Sequence, residues 1–191
     1  MPVSSADDLL RERTLASDTV WEGSFLRVLR DRVRLPDGHE TTREYLRHPG
    51  AAAMIALTDA GEVVLERQFR YPLGCSIVEL PAGKLDAGEP ALDCAWRELE
   101  EETGYTAEHW ESIGRFHPCV GYSDEVIHVF LARGLRAGRR RLDHGEFLEV
   151  LHWPLPRLWQ AIFAGEIIDG KTLSAILLAL PRLRALGLPT P

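Results

Sequence analysis

The sequence predicts a mixed α/β (α+β) protein, in which antiparallel strands come first and a layered α/β/α arrangement with a mixed sheet follows. Two pairs of strand-like apolar runs, each broken by turn residues, precede any helical pattern. A helical spacing of apolar residues begins near Pro90, and two more helical patterns close the chain after further strand-like runs. Strands and helices mixed in this order are typical of layered folds.

The first strand-like runs end by residue 83. In VWEGSFLRVLRDRVRLPDGHETTREYLRH, Asp37 and Gly38 supply turn chemistry between two alternating stretches, which predicts a hairpin after a polar leader. The run AAAMIALTDAGEVVLERQFRY repeats this form, with residues 59–61 as the turn. SIVELPAG predicts one further short strand.

A helix is predicted after these strands. Leu92, Ala95 and Leu99 recur at helical spacing, Pro90 suits the first helical position, and Gly104 suits the residue just past the end. The later elements are predicted as two strands, EVIHVFLARGL and FLEVLHWPL, and two closing helices, LPRLWQAIFAGEI and GKTLSAILLALPRLRAL.

Composition excludes several classes of protein. A chain of 191 residues with 45% hydrophobic residues can bury a substantial core, and a net charge of −7 argues against binding to nucleic acid. Its three cysteines show no Cys-x-x-Cys spacing, so we expect neither a disulfide framework nor a zinc site. No apolar run has membrane-spanning length, and acidic residues stand where a signal peptide needs an apolar stretch. We therefore expect a soluble protein of the reducing cytoplasm, without membrane or nucleic-acid partners.

An unusual concentration of like charge ends the first predicted helix. Glu98 and Glu100–Glu102 follow a single Arg97. On a helix, Glu98, Glu101 and Glu102 would share one face, where their carboxylates repel each other. Such a face is either solvated or neutralised by a divalent cation, and hard oxygen ligands favour Mg²⁺, with Mn²⁺ as the second choice.

The spacing around this cluster is specific. Gly83, five residues, Glu89, seven residues, and then RELEEETGY from Arg97 to Tyr105 resembles the Nudix box at every fixed position. The resemblance implies that the chain is a metal-dependent hydrolase with the Nudix α/β/α sandwich fold. Gly83 would allow a loop that a residue with a Cβ atom would strain.

The same resemblance assigns roles to residues of the box. It implies metal ligands at the Ala82 carbonyl, Glu98, Glu101 and Glu102. Arg97 would orient a carboxylate and, with Glu102, would take part in catalysis.

Weaker flanking motifs resemble the ADP-ribose pyrophosphatase branch of the family. They are REYLRHPGAAAMIAL, ERQFRYP, VELPAGKLDAGE and PCVGYSDE. This resemblance implies a homodimer, with residues 1–48 as an N-terminal β subdomain and residues 49–191 as the Nudix hydrolase domain. The substrate-binding residues that it implies are Arg70, Arg43, Glu44, Arg47, Ser24, Phe25, Lys84 and Glu125. The N-terminal strands of one subunit would complete the pocket of the other.

One loop departs from the branch. Where relatives often carry two acids separated by one residue, RRRLDHGEFLEV has His144 and Glu146. We expect Glu146 to be the catalytic base or an additional metal ligand, and His144 is the alternative base.

The predicted function is metal-dependent hydrolysis of ADP-ribose, or of a related nucleoside diphosphate sugar, to AMP and ribose 5-phosphate. GDP-mannose or another nucleotide sugar is the alternative substrate. A nucleotide-binding sensor without catalysis is the alternative from another class, and the intact set of Glu98, Glu101 and Glu102 argues against it.

Overall fold

The computed structural model describes residues 9–142 and 144–191, so the first eight residues of the polar leader lie outside the described residues. The chain divides into two compact units. The first unit contains the described residues up to Pro49 together with Cys119–Glu125, and the second contains Gly50–Pro118 and Val126–Pro191.

The first unit is a three-stranded antiparallel sheet in the order β1-β2-β3. The strands are β1 (Arg13–Glu22), β2 (Arg27–Arg34) and β3 (Glu40–Arg47). The predicted turn between β2 and β3 is confirmed, since Gly38 donates to the Leu35 carbonyl and Asp37 accepts from the His39 amide. The strand β1 was not predicted, because its ten residues are all exposed and give no alternating apolar signal.

The second unit contains two sheets. The strands are β4 (Ala51–Ala56), β5 (Glu62–Arg70), β6 (Cys75–Glu79), β7 (Ala82–Lys84), β8 (Tyr105–Phe116), β9 (Ile127–Ala137) and β10 (Leu148–Pro154). One sheet is antiparallel, in the order β10-β5-β6, and the other is mixed, in the order β7-β4-β9-β8, with β4 parallel to β9. The mixed α+β fold class is therefore confirmed.

The second predicted hairpin is wrong. β4 and β5 belong to different sheets and share only an isolated bridge between Leu57 and Val63. All six residues of β4 are buried, so apolar side chains are required on both of its faces and the run carries no information about its partner. The turn itself exists, with the Gly61 amide bonded to the Thr58 carbonyl.

Helices cover both faces of the buried strand. They are α1 (Ala91–Glu98), α2 (Leu155–Phe163) and α3 (Gly170–Ala185), all close to their predicted positions. Met54 of β4 packs with Cys94 and Leu99 near α1, whereas Ile55 packs in the cluster that includes Leu158 of α2. None of the described helices combines the length and apolar character that a bilayer crossing requires. All three cysteines are free.

Candidate active site

The glutamates lie at the end of α1, on a helix that changes its geometry. The α-helical part ends at Glu98, and Leu99–Thr103 form a π-helical turn that ends at Gly104. Gly104 has φ +78°, and its amide donates to the Glu100 carbonyl. We predicted a regular helix here, so the wider final turn is a difference from that prediction, of a kind often found at functional sites. Leu99 is fully buried and fixes this turn against the core.

Arg97 connects the carboxylates of the box. Its guanidinium binds both oxygens of Glu89, at 3.0 and 2.9 Å, and also Glu98 at 2.7 Å and Glu101 at 3.2 Å. A further bond of 3.2 Å reaches the Lys84 carbonyl in β7. The forked pair with Arg97 is the main reason why the pKa of Glu89 falls to about 2. Arg97 therefore orients the metal-binding candidates and joins the helix to β7.

Gly83 is required for a different reason from the one predicted. Its backbone is not in the left-handed region. A Cβ atom at this position would lie 1.8 Å from Cδ of Glu98. The glycine therefore provides room for the Glu98 carboxylate against β7, and no strained loop is involved.

Glu102 is the most buried carboxylate of the box. One of its oxygens accepts from the Ala82 amide at 3.0 Å. Burial raises the pKa of Glu102 well above its ordinary value, and the nearby acids Glu66 and Glu98 raise it further. This side chain lies in a crowded acidic environment next to the residue whose carbonyl is the predicted metal ligand.

Glu66 of β5 is an acid that sequence analysis missed. Only 1% of Glu66 is exposed, and its Oε1 atom has no hydrogen-bond partner in the described part of the chain. Burial raises the pKa of Glu66 to about 8, and the charges of Glu79 and Glu146 also act to raise it. The signal was alternation: Glu66 follows Val64 by two residues, so it points to the same face of the strand as Val64, which packs against α1.

Glu146 interacts electrostatically with three of the acids in this region. Its charge helps to raise the pKa of Glu66, Glu98 and Glu102. Glu146 is partly buried, whereas His144 is exposed. This interaction is consistent with the role predicted for Glu146.

Arg70 is held at the end of β5 by a carboxylate that was not predicted. Its Nε atom donates to Oε1 of Glu79 at 2.7 Å, and the Glu79 side chain is almost completely buried. Lys171 binds the other oxygen of Glu79 at 3.1 Å. Glu79 and Lys171 lie 92 residues apart in sequence, so no local spacing could have paired them.

The oxygen-rich donor set fits a hard divalent cation. Among residues 9–142 and 144–191, no three Asp, Glu, His or Cys side chains already surround one cation position, because Glu98 and Glu101 bind Arg97 and Glu102 binds the Ala82 amide. Two observations nevertheless indicate that these residues fit a divalent cation. The buried Oε1 atom of Glu66 has no hydrogen-bond partner among the described residues, and Gly83 leaves space for the Glu98 carboxylate. Burial is the main cause of the raised pKa values of Glu66, Glu98 and Glu102, and repulsion between neighbouring acids adds to it. A cation bound to these carboxylates would offset both effects.

The remaining predicted substrate residues belong mainly to the first unit. Ser24 and Phe25 are exposed in the turn between β1 and β2. Arg43 pairs with Glu12, Glu44 with Arg30, Arg47 with Asp124, and Glu125 with His48. Lys84 is an exposed residue of β7 in the second unit. The structure thus groups Ala82, Lys84, Arg97 and the box glutamates in one unit, and it groups Ser24, Phe25, Arg43, Glu44, Arg47 and Glu125 in the other.

Comparison with known proteins finds two domain models that match this chain. Residues 47–175 match the NUDIX domain model, and residues 12–46 match the nucleoside diphosphate sugar hydrolase N-terminal domain. An ADP-ribose pyrophosphatase of Bacillus subtilis is 43% identical over 87% of this chain and 91% of its own length. A methanol dehydrogenase activator of Bacillus methanolicus is 41% identical over 88% of this chain and 92% of its own length.

A more distant relative and a solved structure extend the comparison. A GDP-mannose pyrophosphatase of Salmonella typhimurium is 34% identical over 67% of this chain and 71% of its own length. The crystal structure of an ADP compounds hydrolase superposes with a TM-score of 0.82 at 20% identity, covering 94% of this chain and 97% of that one, which supports the fold. With its glutamate-rich helix, its required glycine and a domain match over most of its length, the chain belongs to the Nudix hydrolase family.

Proposed function

We propose that the protein hydrolyses the diphosphate bond of ADP-ribose, or of a related nucleoside diphosphate sugar, with the help of Mg²⁺ or Mn²⁺. The main support is the arrangement around Arg97, which holds Glu98 and Glu101 beside the buried Glu102 and the Ala82 backbone. A binding module would gain nothing from so many repelling carboxylates. The named activity of the Bacillus subtilis relative supports ADP-ribose as the first substrate to test.

Each residue of the site has a role in this proposal. Glu98, Glu101, Glu102 and the Ala82 carbonyl would hold the cation. The bound ion would neutralise phosphate oxygens and lower the pKa of the attacking water. Arg97 orients two of the glutamates through its direct bonds to them.

The reaction then needs one proton acceptor. The oxygen of a water molecule forms a bond to one phosphorus atom while the bond from that phosphorus to the bridging oxygen breaks. Glu146 receives the water proton, and the leaving phosphate carries away the bridging oxygen with its electron pair. For ADP-ribose, the products are AMP and ribose 5-phosphate.

Two groups of residues recognise the substrate in this proposal. Arg70 would grip the diphosphate, because a guanidinium binds phosphate oxygens in two places. Lys84 and Glu125 would make further contacts. Arg43, Glu44, Arg47, Ser24 and Phe25 would act across a homodimer. The residues of β1 are all exposed and include Trp21 and Val20 at the edge of the sheet, which supports such an assembly, since a second copy could cover them.

A substrate panel tests the proposal. ADP-ribose, other ADP-sugars, GDP-mannose, NADH and dinucleoside polyphosphates are incubated with and without Mg²⁺, and the products are separated by chromatography. We expect ADP-ribose to be converted preferentially to AMP and ribose 5-phosphate, and only with metal. Preferential cleavage of GDP-mannose, the substrate in the name of the Salmonella relative, would replace the substrate and keep the site.

The same panel tests the interaction-module alternative. Binding of a nucleotide without any turnover would refute the catalytic proposal and favour a regulatory role, for which the name of the Bacillus methanolicus relative offers a precedent. The matched variant is Glu102→Gln. Loss of turnover with nucleotide binding retained would support catalysis.

A further inference from the structure

The first turn of α3 holds the end of β6 by its backbone and by its side chains. Asp169 caps the helix by accepting from the amides of Lys171 and Thr172. The Thr172 hydroxyl accepts from the Leu80 amide at 2.8 Å and donates to Asp169 at 2.6 Å. Lys171 donates to the Leu80 carbonyl at 2.9 Å. Both backbone polar groups of a fully buried residue are thus bound by one helical turn.

Lys171 has no donor left for other partners. Its ammonium group lies 2.9 Å from the Leu80 carbonyl oxygen, 3.1 Å from Oε2 of Glu79 and 3.1 Å from Oδ2 of Asp169. An ammonium group has three donors, so this set satisfies it completely. Only 13% of the Lys171 side chain is exposed, which makes the arrangement costly to break.

Glu79 divides its carboxylate between two cations. Oε1 accepts from Arg70 at 2.7 Å and Oε2 faces Lys171 at 3.1 Å, while 2% of the Glu79 side chain is exposed. A carboxylate this deeply buried needs compensation for its lost hydration, and the two cations share that task. Without Lys171, the whole charge of Glu79 would act on Arg70. The guanidinium would then be less available to an anionic ligand.

The same segment leads to β7, which begins at Ala82. After Leu80, the Pro81 carbonyl accepts from the Met54 amide at 3.0 Å, and the Ala82 amide donates to Glu102. Leu80 therefore lies between the carboxylate that holds Arg70 and the residue whose carbonyl is a candidate metal ligand. The α3 turn fixes this point of the chain.

We propose that Lys171 is a positioning residue, which sets Arg70 for the substrate diphosphate through Glu79 and Leu80 without itself touching the substrate. The inference rests on the proposed function, because it requires Arg70 to bind the diphosphate. Asp169 and Thr172 support Lys171 by fixing the start of α3.

A double-mutant cycle tests the proposal. Lys171→Met removes the charge and keeps the chain length, Arg70→Ala removes the responding side chain, and the double variant combines the two. Arg182→Met is the matched control, since Arg182 lies on the same helix and pairs with Glu111 of β8. The kinetic readouts are KM and kcat for ADP-ribose with Mg²⁺, and the structural readout is the urea midpoint without substrate.

We expect Lys171→Met to raise KM about tenfold, the effect of one charge-assisted hydrogen bond, and to change kcat much less. In the Arg70→Ala background the same substitution should have no further effect on KM. Arg182→Met should leave KM unchanged. Lys171 and Arg70 should also be non-additive in the urea midpoint, because both compensate Glu79.

Three results would overturn the proposal. Additive effects on KM would mean that Lys171 acts independently of Arg70, and an unchanged KM for Lys171→Met would mean that it acts on stability alone. Additive urea midpoints would exclude the connection through Glu79 whatever the substrate is. Failure of the proposed function would give a different result. In that case Arg70→Ala would have a normal KM, or the wild type would not hydrolyse ADP-ribose. The urea midpoints of the four proteins would still show whether Lys171 and Arg70 are coupled through Glu79.

Discussion

Glu66→Gln should stabilise the metal-free protein at neutral pH. Glu66 is 1% exposed, and burial raises its pKa from an ordinary 4.5 to about 8. Below pH 4.5 the carboxyl is protonated in both the folded and the unfolded state, so it has no effect on the pH dependence of stability. As the pH rises from 4.5 to 8, the unfolded state releases the proton and the folded state retains it, so the wild type loses stability. Each pH unit in this interval costs about 1.4 kcal/mol, which gives about 3 kcal/mol at pH 7.

Glutamine has the shape of the protonated acid but does not titrate, so it avoids this loss. Urea unfolding in EDTA should show that Glu66→Gln is more stable by about 3 kcal/mol at pH 7, or about 6–12 °C in Tm, with little difference at pH 4.5. Glu149→Gln is the matched control, because Glu149 lies on the adjacent strand in an exposed pair with Arg67. Equal stability of wild type and Glu66→Gln at pH 7, or a difference that persists at pH 4.5, would refute the assignment of Glu66 as a buried acid that keeps its proton.

Three further predictions concern catalysis and assembly. Glu102→Gln should reduce kcat by at least about 100-fold with the fold intact by circular dichroism, because it removes a carboxylate that we propose to bind the metal. Glu100→Gln, which removes an exposed acid of the same turn, should retain activity within about twofold. Gly83→Ala should reduce kcat/KM by at least about tenfold, because its Cβ atom would overlap the Glu98 carboxylate, which we propose to bind the metal. Gly170→Ala has open space and should be active, and equal activity of both variants would contradict the close approach at β7. Trp21→Lys should convert the proposed dimer to a monomer, as measured by light scattering. A variant with the same mass as the wild type would exclude β1 from the interface.

The sequence was informative where function depends on local spacing. The Nudix box was recognised from fixed gaps, and its helix, its terminal glycine and the contacts of Glu98 and Glu101 with Arg97 follow from residues within a few turns of each other. The π-helical turn of Leu99–Thr103 was not predicted, because glutamate and leucine also favour a regular α-helix and their sequence does not mark the wider turn. The reason for Gly83 was also hidden, since a close approach between two elements leaves no trace in the residues beside the glycine.

The pairing of strands was less accessible to sequence analysis. A tight turn connects β4 to β5. Two apolar runs joined by such a turn are also what the sequence of a true hairpin shows. The separation of β4 and β5 into two sheets depends on β9 and β10, which contribute partners from more than 70 residues away. The burial of every residue of β4, which has helices on both faces, distinguishes this arrangement from a hairpin. A short apolar run in the sequence does not reveal that burial.

The residues that sequence analysis missed share one property, and it explains how the site can tolerate its acids. Glu66, Glu79 and Lys171 come from β5, β6 and the start of α3, so each reaches the site through tertiary packing. Glu79 is compensated by two cations and is stable without metal, whereas Glu66 and Glu102 crowd together with raised pKa values. The fold therefore holds Arg70 through the paired charges of Glu79 and Lys171. It leaves Glu66 and Glu102 without cations that fully balance their charge. That division would suit the proposed hydrolase, in which Arg70 must stay in place to bind the substrate while a metal is acquired from solution.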